Sequence, residues 1–171
     1  MDILNELKSR RSIRAYTEEA VSKADLDKII EAGLFAASGM GRQASTIVCI
    51  TNKEIRDQLS KLNAKVMGKE DIDPFYGAQT VLAVLAQDIA TCVADGALIL
   101  GNMMNEAGSL GLGSCWIHRA KEVFEFPEGI ELKKKWNIPE DYKGVGFLIV
   151  GHPQTVPAAI ERKPNRVVFA E

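Results

Sequence analysis

Arg10-Arg11-Ser12-Ile13-Arg14 puts three guanidiniums and a hydroxyl into five residues, the densest concentration of anion-binding chemistry in the chain. A guanidinium is planar, permanently charged and forked, so each one offers paired donors that match phosphate oxygens. Hydrogen bonds to a charged group contribute roughly 1.5–3 kcal/mol each, so three or four would supply much of the ~8 kcal/mol of a micromolar ligand. Alone, the cluster fits either such a site or a solvated basic turn. Its flanks bear on that choice. Asp2 to Lys8 reads as a short amphipathic helix, with Asp2 as N-cap and Ile3, Leu4 and Leu7 on one face. Ile13 and Tyr16 carry apolar surface, which places the arginines where the chain emerges beside a packed core.

Two further segments have usable chemistry. Ser38-Gly39-Met40-Gly41-Arg42-Gln43 follows a helix with residues that let a ligand approach the backbone, then supplies donors from Arg42 and Gln43. Arg162-Lys163-Pro164 is a second basic group near the end of the chain. Each also reads as plain surface, a flexible connection in the first case and a solvated charge run in the second. Gly108, Gly111 and Gly113 follow a helix and precede a strand, the reverse of the order a dinucleotide or phosphate loop requires. They end the helix and allow close packing. No Walker motif, nucleophile elbow or zinc-ligand cluster is present, and His118 and His152 are the only histidines. Cys49, Cys92 and Cys115 sit among apolar neighbours without close spacing, which fits buried thiols in a reducing compartment.

The elements that must position these groups read as α+β. The 171 residues suit one domain spanning 1–171, with 46% hydrophobic and 26% charged residues. Net charge is −2, which argues against a nucleic-acid surface. No basic region leads into an apolar signal core, so a cytoplasmic location is expected. Ser22 with Asp25 opens a helix carrying Leu26, Ile29, Ile30 and Leu34; Ile55, Leu59, Leu62 and Val66 mark another. Strands are expected over Thr46–Thr51, Thr80–Ala86, Ser114–His118 and Gly144–Gly151. The run Thr80–Ala86 is apolar throughout, the pattern of a strand covered on both faces. Two weak helical pieces are expected between Glu122 and Trp136. Ile89 to Leu112 is interrupted by Asp95, Asn102, Asn105 and Glu106, so it reads as a central core or interface helix and not as a membrane span. The tail from His152 holds Pro153, Pro157 and Pro164 and ends in the strand-like Val167-Val168-Phe169. It is too short and proline-rich for a core of its own, and it could add to a sheet edge of this subunit or a partner. With the apolar central helix, this favours a dimer with exchanged ends.

In this order the marks resemble the FMN-dependent nitroreductase family, along the whole chain. Arg10-Arg11-Ser12-Ile13-Arg14-Ala15-Tyr16 is similar to the family's opening signature, and Ala36-Ala37-Ser38-Gly39-Met40-Gly41-Arg42-Gln43 to its flavin-edge loop. Gly111-Leu112-Gly113 before Cys115-Trp116-Ile117, then Gly146-Phe147-Leu148-Ile149-Val150-Gly151-His152-Pro153, and Arg162-Lys163-Pro164 complete the series. The resemblance implies a mainly antiparallel central sheet with flanking helices, in a domain-exchanged homodimer whose tails (153–171) pack on the partner and whose two FMN sites lie at the subunit interface. Arg10, Arg11, Ser12 and Arg14 would contact the phosphate, ribityl chain and polar flavin edge, joined at the phosphate by Arg162 and Lys163. Ala37, Ser38, Gly39 and Gly41 would line the isoalloxazine from the partner. Asn63 matches a flavin-edge asparagine, and Ile117, His118 and Arg119 match the segment passing the reactive flavin nitrogen. Ala37 and Ala44 stand where the family often has proline, and Gly41 where it often has asparagine.

The activity implied is ping-pong hydride transfer through flavin N5, from NADH or NADPH to a nitroaromatic, quinone or similar electron-poor small molecule. The protein's share is orientation and positive charge, with no general acid or base and no metal. A flavin-dependent reductase of a specialised substrate, for example a halogenated one, and a non-catalytic flavin-binding module are the alternatives.

Overall fold

The structure, a computed structural model, describes residues 3–170; the expected N-cap Asp2 lies outside them. Four strands form one sheet in the order β1-β2-β4-β3, where β1 is Ser45–Ile50, β2 Thr80–Gln87, β3 Gly113–Ile117 and β4 Tyr142–Gly151. All neighbouring strands run antiparallel. β2 lies inside the sheet and its side chains alternate between two cores. Val81, Ala83 and Leu85 join Phe75, Phe147 and Ile149 on one face, while Leu82, Val84 and Ala86 join Ile29, Leu100 and Met103 on the other. Both faces are dry, hence the unbroken apolar run.

The helices α2 (Lys23–Leu34), α3 (Lys53–Met67), α4 (Cys92–Ser109), α5 (Ala120–Val123) and α6 (Pro127–Lys135) cover those faces, and α1 (Ile3–Ser9) lies against α4 without a buried residue. α2 and α4 pack together over the second core. The α2 N-terminus is capped by Ser22, whose side chain accepts from the Asp25 N–H, and α3 by Asn52, which accepts from the Ile55 N–H. Pro127 opens α6 from its first turn, the position where a missing N–H costs nothing.

The loop between α3 and β2 is tied down more tightly than its polar composition suggests. The Asp73 carboxylate accepts from Arg56, from the Ser60 hydroxyl and from the N–H groups of Phe75 and Gly77. Arg56 is itself buried and also donates through Nε to the Ala78 carbonyl at 2.8 Å. Burial pushes the Asp73 carboxyl up, but these donors outweigh it and hold it below the ordinary carboxylate range. A carboxyl depressed on folding stabilises the fold above its unfolded pKa of about 3.9, and that contribution disappears as pH falls through the lower folded value. Thermal melts of wild type should therefore fall more steeply with acidification below about pH 4.5 than melts of Asp73→Asn. Parallel curves would contradict this account of the loop.

Two expectations are corrected. Cys49 is exposed, because β1 is an edge strand; only Cys92 and Cys115 are buried, and all three are free thiols. The tail forms no strand within the chain. Residues 154–170 are all exposed, with Val168 at 89% and Phe169 at 84%, so of the two sheet edges expected for the tail this subunit's is not used.

Candidate functional site

The segment 10–16 lies along β3 and is fixed by its apolar residues. Ile13 is buried, and its N–H donates to the Ser114 carbonyl at 3.0 Å. Ser12 and Ser114 form a parallel bridge that partly covers the β3 edge. Gly113 is required here, since a Cβ on it would come within 2.8 Å of the Ile13 side chain. Tyr16 donates its hydroxyl to the Ile13 carbonyl at 2.8 Å, and the Thr17 N–H donates to the His152 carbonyl. Burial of Tyr16 pushes its phenol far up, so it stays protonated as that donor.

Within this frame the basic residues divide. Arg10 runs past Gly108, and its Nη1 is buried without a hydrogen-bond partner. Arg11 turns back instead: its Nη1 donates to the carbonyls of Lys8, Ser9 and Arg10 and so caps the C-terminus of α1. Arg14 is exposed, with its guanidinium 5.9 Å from the centre of the Tyr76 ring.

At the other end of β3, Ile117 is buried and His118 is exposed. Asn63, fully buried on α3, donates through Nδ2 to the His118 carbonyl at 2.8 Å, and its Oδ1 has no partner. Arg119 adopts φ +74° and its Nε is likewise buried and unpartnered. Among the described residues, the buried unpartnered side-chain atoms are Arg10 Nη1, Ser114 Oγ, Asn63 Oδ1 and Arg119 Nε, together with Ser45 Oγ and Trp116 Nε1. Ser114 and Trp116 are on β3, Arg119 follows its end, Asn63 meets the chain there at His118, and Arg10 shares a cavity with Gly113 at its start. Folded proteins rarely leave such groups unpaired, because each forfeits its hydration. With a rise of ~3.3 Å per residue β3 is about 17 Å long, within the reach of a mononucleotide.

The Ser38 loop is elsewhere. Gly39 begins a single 3-10 turn, Gly39–Gly41, and its N–H donates to the buried Asp95 carboxylate at 2.9 Å. Thr91 donates to the same carboxylate at 2.8 Å, and a Cβ on Gly39 would meet the Thr91 side chain at 2.8 Å. The Ser38 hydroxyl accepts from the Gln43 N–H, while Ala37 and Gly41 are exposed. This loop therefore sits at the start of α4, and Arg10 beside Gly108 sits at its end. At ~1.5 Å per residue these ends lie about 25 Å apart. One chain does not bring the two halves of the expected site together.

Arg162 and Lys163 line a shallow concavity of the tail with Asn165, Arg166 and Val167, apart from the Arg10 cluster. The tail's first residues do pass that cluster: a cavity of about 130 Å³ is bounded by Arg10, Arg11, Gly108, Gly111, Gly113 and Val156. This suits a phosphate-sized group and falls below the ~300–1,000 Å³ of a complete small-molecule site. Sequence reasoning missed Ser114, Asp95 as the anchor of the Ser38 loop, and Tyr76. Of these only Tyr76 carried a signal, the turn-forming run Asp73-Pro74-Phe75-Tyr76-Gly77.

The fold is α+β, and comparison with known proteins gives the class. The model of the nitroreductase family matches residues 7–90 and 73–152. A nitroreductase with bound FMN from Bacteroides fragilis superposes with a TM-score of 0.91 at 25% identity, covering 100% of both chains. The FMN reductase [NAD(P)H] of Bacillus subtilis is 26% identical over 98% of this chain and 72% of its own length. The oxygen-insensitive NADPH nitroreductase of Salmonella typhimurium is 27% identical over 94% of this chain and 70% of its own length. The chain belongs to the nitroreductase family.

The residues present fit FMN. A phosphate beside Arg10 would satisfy its orphaned Nη1, and the polar edge of a flavin offers both an N–H for Asn63 Oδ1 and carbonyl oxygens for arginine donors. Ser114 Oγ, on β3, is equally unpaired.

Proposed function

We propose that this chain is an FMN-dependent NAD(P)H oxidoreductase that works as a homodimer and reduces nitroaromatic, quinone or similar electron-poor small molecules. The observation that carries this reading is the set of buried, unpartnered polar atoms on and around β3: Arg10 Nη1, Ser114 Oγ, Trp116 Nε1, Asn63 Oδ1 and Arg119 Nε. When bound, FMN supplies hydride transfer from the nicotinamide donor and then to the acceptor. Arg10 and Ser12 hold the phosphate and ribityl end, with Arg162 and Lys163 closing on it from a tail. Arg11 supports them as the cap of α1. Asn63 reads the flavin's polar edge and at the same time fixes the backbone of His118. The segment Ile117–Arg119 presents backbone N–H at the reactive face, and Arg14 adds positive charge that favours the anionic reduced form.

The second half of each site comes from the partner. Ala37, Ser38, Gly39 and Gly41 stand at the far end of α4, so a two-fold axis across α4 would carry one protomer's loop to the other's Arg10 cluster. Exposed apolar residues supply the contact: Leu34 and Phe35 after α2, Val93 and Leu98 on α4, and Ile3, Leu4 and Leu7 on α1. The exposed Val156, Ile160, Val167, Val168 and Phe169 give the tail an apolar surface to lay across the partner.

The purified protein should take up FMN, turn yellow, and bleach under anaerobic addition of NADH or NADPH. Failure to take up FMN would remove the proposal. Bound FMN that neither nucleotide reduces would identify a non-catalytic flavin-binding module. Turnover of halogenated compounds with none of nitroaromatics or quinones would identify a specialised reductase.

A further inference from the structure

The turn carrying Tyr76 has no part in any function assigned above, yet it is tied down at several points. Phe75 is fully buried, 5.3 Å from Phe147, and the Arg56 guanidinium lies 5.5 Å over its ring. Asp73 holds the N–H groups of Phe75 and Gly77 through its carboxylate and that of Tyr76 through its carbonyl. Tyr76 between them adopts φ +51°, a left-handed conformation that an aromatic residue rarely takes. Such a conformation costs of order 1–3 kcal/mol and persists where the surroundings over-determine it, most often at ligand clamps and active sites.

The result is a ring held outside the core, 43% exposed, facing the Arg14 guanidinium at 5.9 Å. A second tie joins the same two segments, because Gln79 on the β2 side of the turn donates to the Glu18 carbonyl at 3.0 Å. Burial does not explain the ring, since Phe75 already fills the core beneath it. A glycine or asparagine would make the turn with less strain. What the tyrosine adds at this position is an aromatic face for a cation.

We propose that Tyr76 is a positioning residue of the flavin site: its ring, presented on a strained and fully tied turn, holds the Arg14 guanidinium toward the flavin and so raises both FMN affinity and reduction potential. The inference rests on the reading that Arg14 faces the flavin. A guanidinium over an aromatic face loses little hydration and still projects its charge, whereas a free arginine disperses among rotamers. The phenol hydroxyl has no role in this arrangement, so phenylalanine should serve as well.

The test uses full-length protein reconstituted with FMN, and reads the FMN dissociation constant by flavin fluorescence and the midpoint potential of the bound flavin. Tyr76→Asn removes the ring while tolerating the left-handed backbone, and should weaken FMN binding about two- to fivefold, the worth of an exposed cation–π contact. If the reduced form loses fivefold more than the oxidised form, the two-electron potential falls by about 20 mV. Tyr76→Phe should match wild type on both readouts. In an Arg14→Met background, Tyr76→Asn should add nothing. A Tyr76→Asn variant with unchanged affinity and potential, or one whose effect persists in full without Arg14, overturns the proposal. If Arg14→Met alone changes neither readout, the placement of Arg14 at the flavin is what fails, and the role of Tyr76 falls with it.

Discussion

Arg10→Glu should bind FMN roughly ten- to hundredfold more weakly than wild type, the loss of one or more hydrogen bonds to a charged group at ~1.5–3 kcal/mol. The guanidinium runs beside Gly108 with Nη1 buried and unpartnered, so it contributes little to the fold that a ligand-free protein would miss. A carboxylate at this half-buried position also costs some stability, so the neutral Arg10→Gln, which adds no charge, is the variant expected to melt close to wild type. Titration of apo protein with FMN, followed by flavin fluorescence, separates the two effects. A variant that keeps its FMN affinity would return the arginine cluster to a solvated basic turn. Arg11→Glu should behave differently: Arg11 caps α1 through three carbonyls, so its loss should loosen α1 and lower the melting temperature.

Gly39→Val should damage FMN binding from the opposite end of α4. A Cβ on Gly39 would lie 2.8 Å from the Thr91 side chain, and that side chain is held by its own hydrogen bond to Asp95. The clash forces the loop away from Asp95 and breaks the donation from the Gly39 N–H. Overpacking costs ~1–3 kcal/mol, and the lost bond to a buried carboxylate a similar amount. Some of this will appear as a lower melting temperature. The rest should appear as FMN affinity reduced roughly tenfold, if the displaced loop lines the flavin. Normal FMN binding with a lowered melting temperature would make the loop a structural connection only.

How much of this was legible in the sequence depends on whether a residue's partner is near it in the chain. α2 and α3 were readable because their caps and apolar periodicity are local. β2 was readable because a strand dry on both faces must be apolar at every position. The order of Arg10, Ser38, Asn63 and Arg162 pointed to the family and hence to FMN, although no single segment carried that meaning. The capping role of Arg11 was not legible, since its acceptors are α1 carbonyls that face it only after the chain turns back. The run around Tyr76 reads as a turn, but its significance lies in a left-handed φ and in Arg14 some sixty residues earlier, which the sequence does not show. Cys49 reads as apolar and buried by its neighbours, and only the strand order shows that it lies on an edge. The tail's strand signal is one of composition only, and within this chain it pairs with no strand.

The central claim is that each flavin site is built from the Arg10 end of one protomer and the Ser38 loop of the other. Mixed dimers of Arg10→Glu and Gly39→Val, isolated through two different affinity tags, test it most directly. In such a heterodimer one site carries both defects and the other carries neither, so it should hold about half the FMN of wild type although each parent homodimer holds little. A heterodimer as depleted as its parents would place both residues in the same protomer's site and contradict the account.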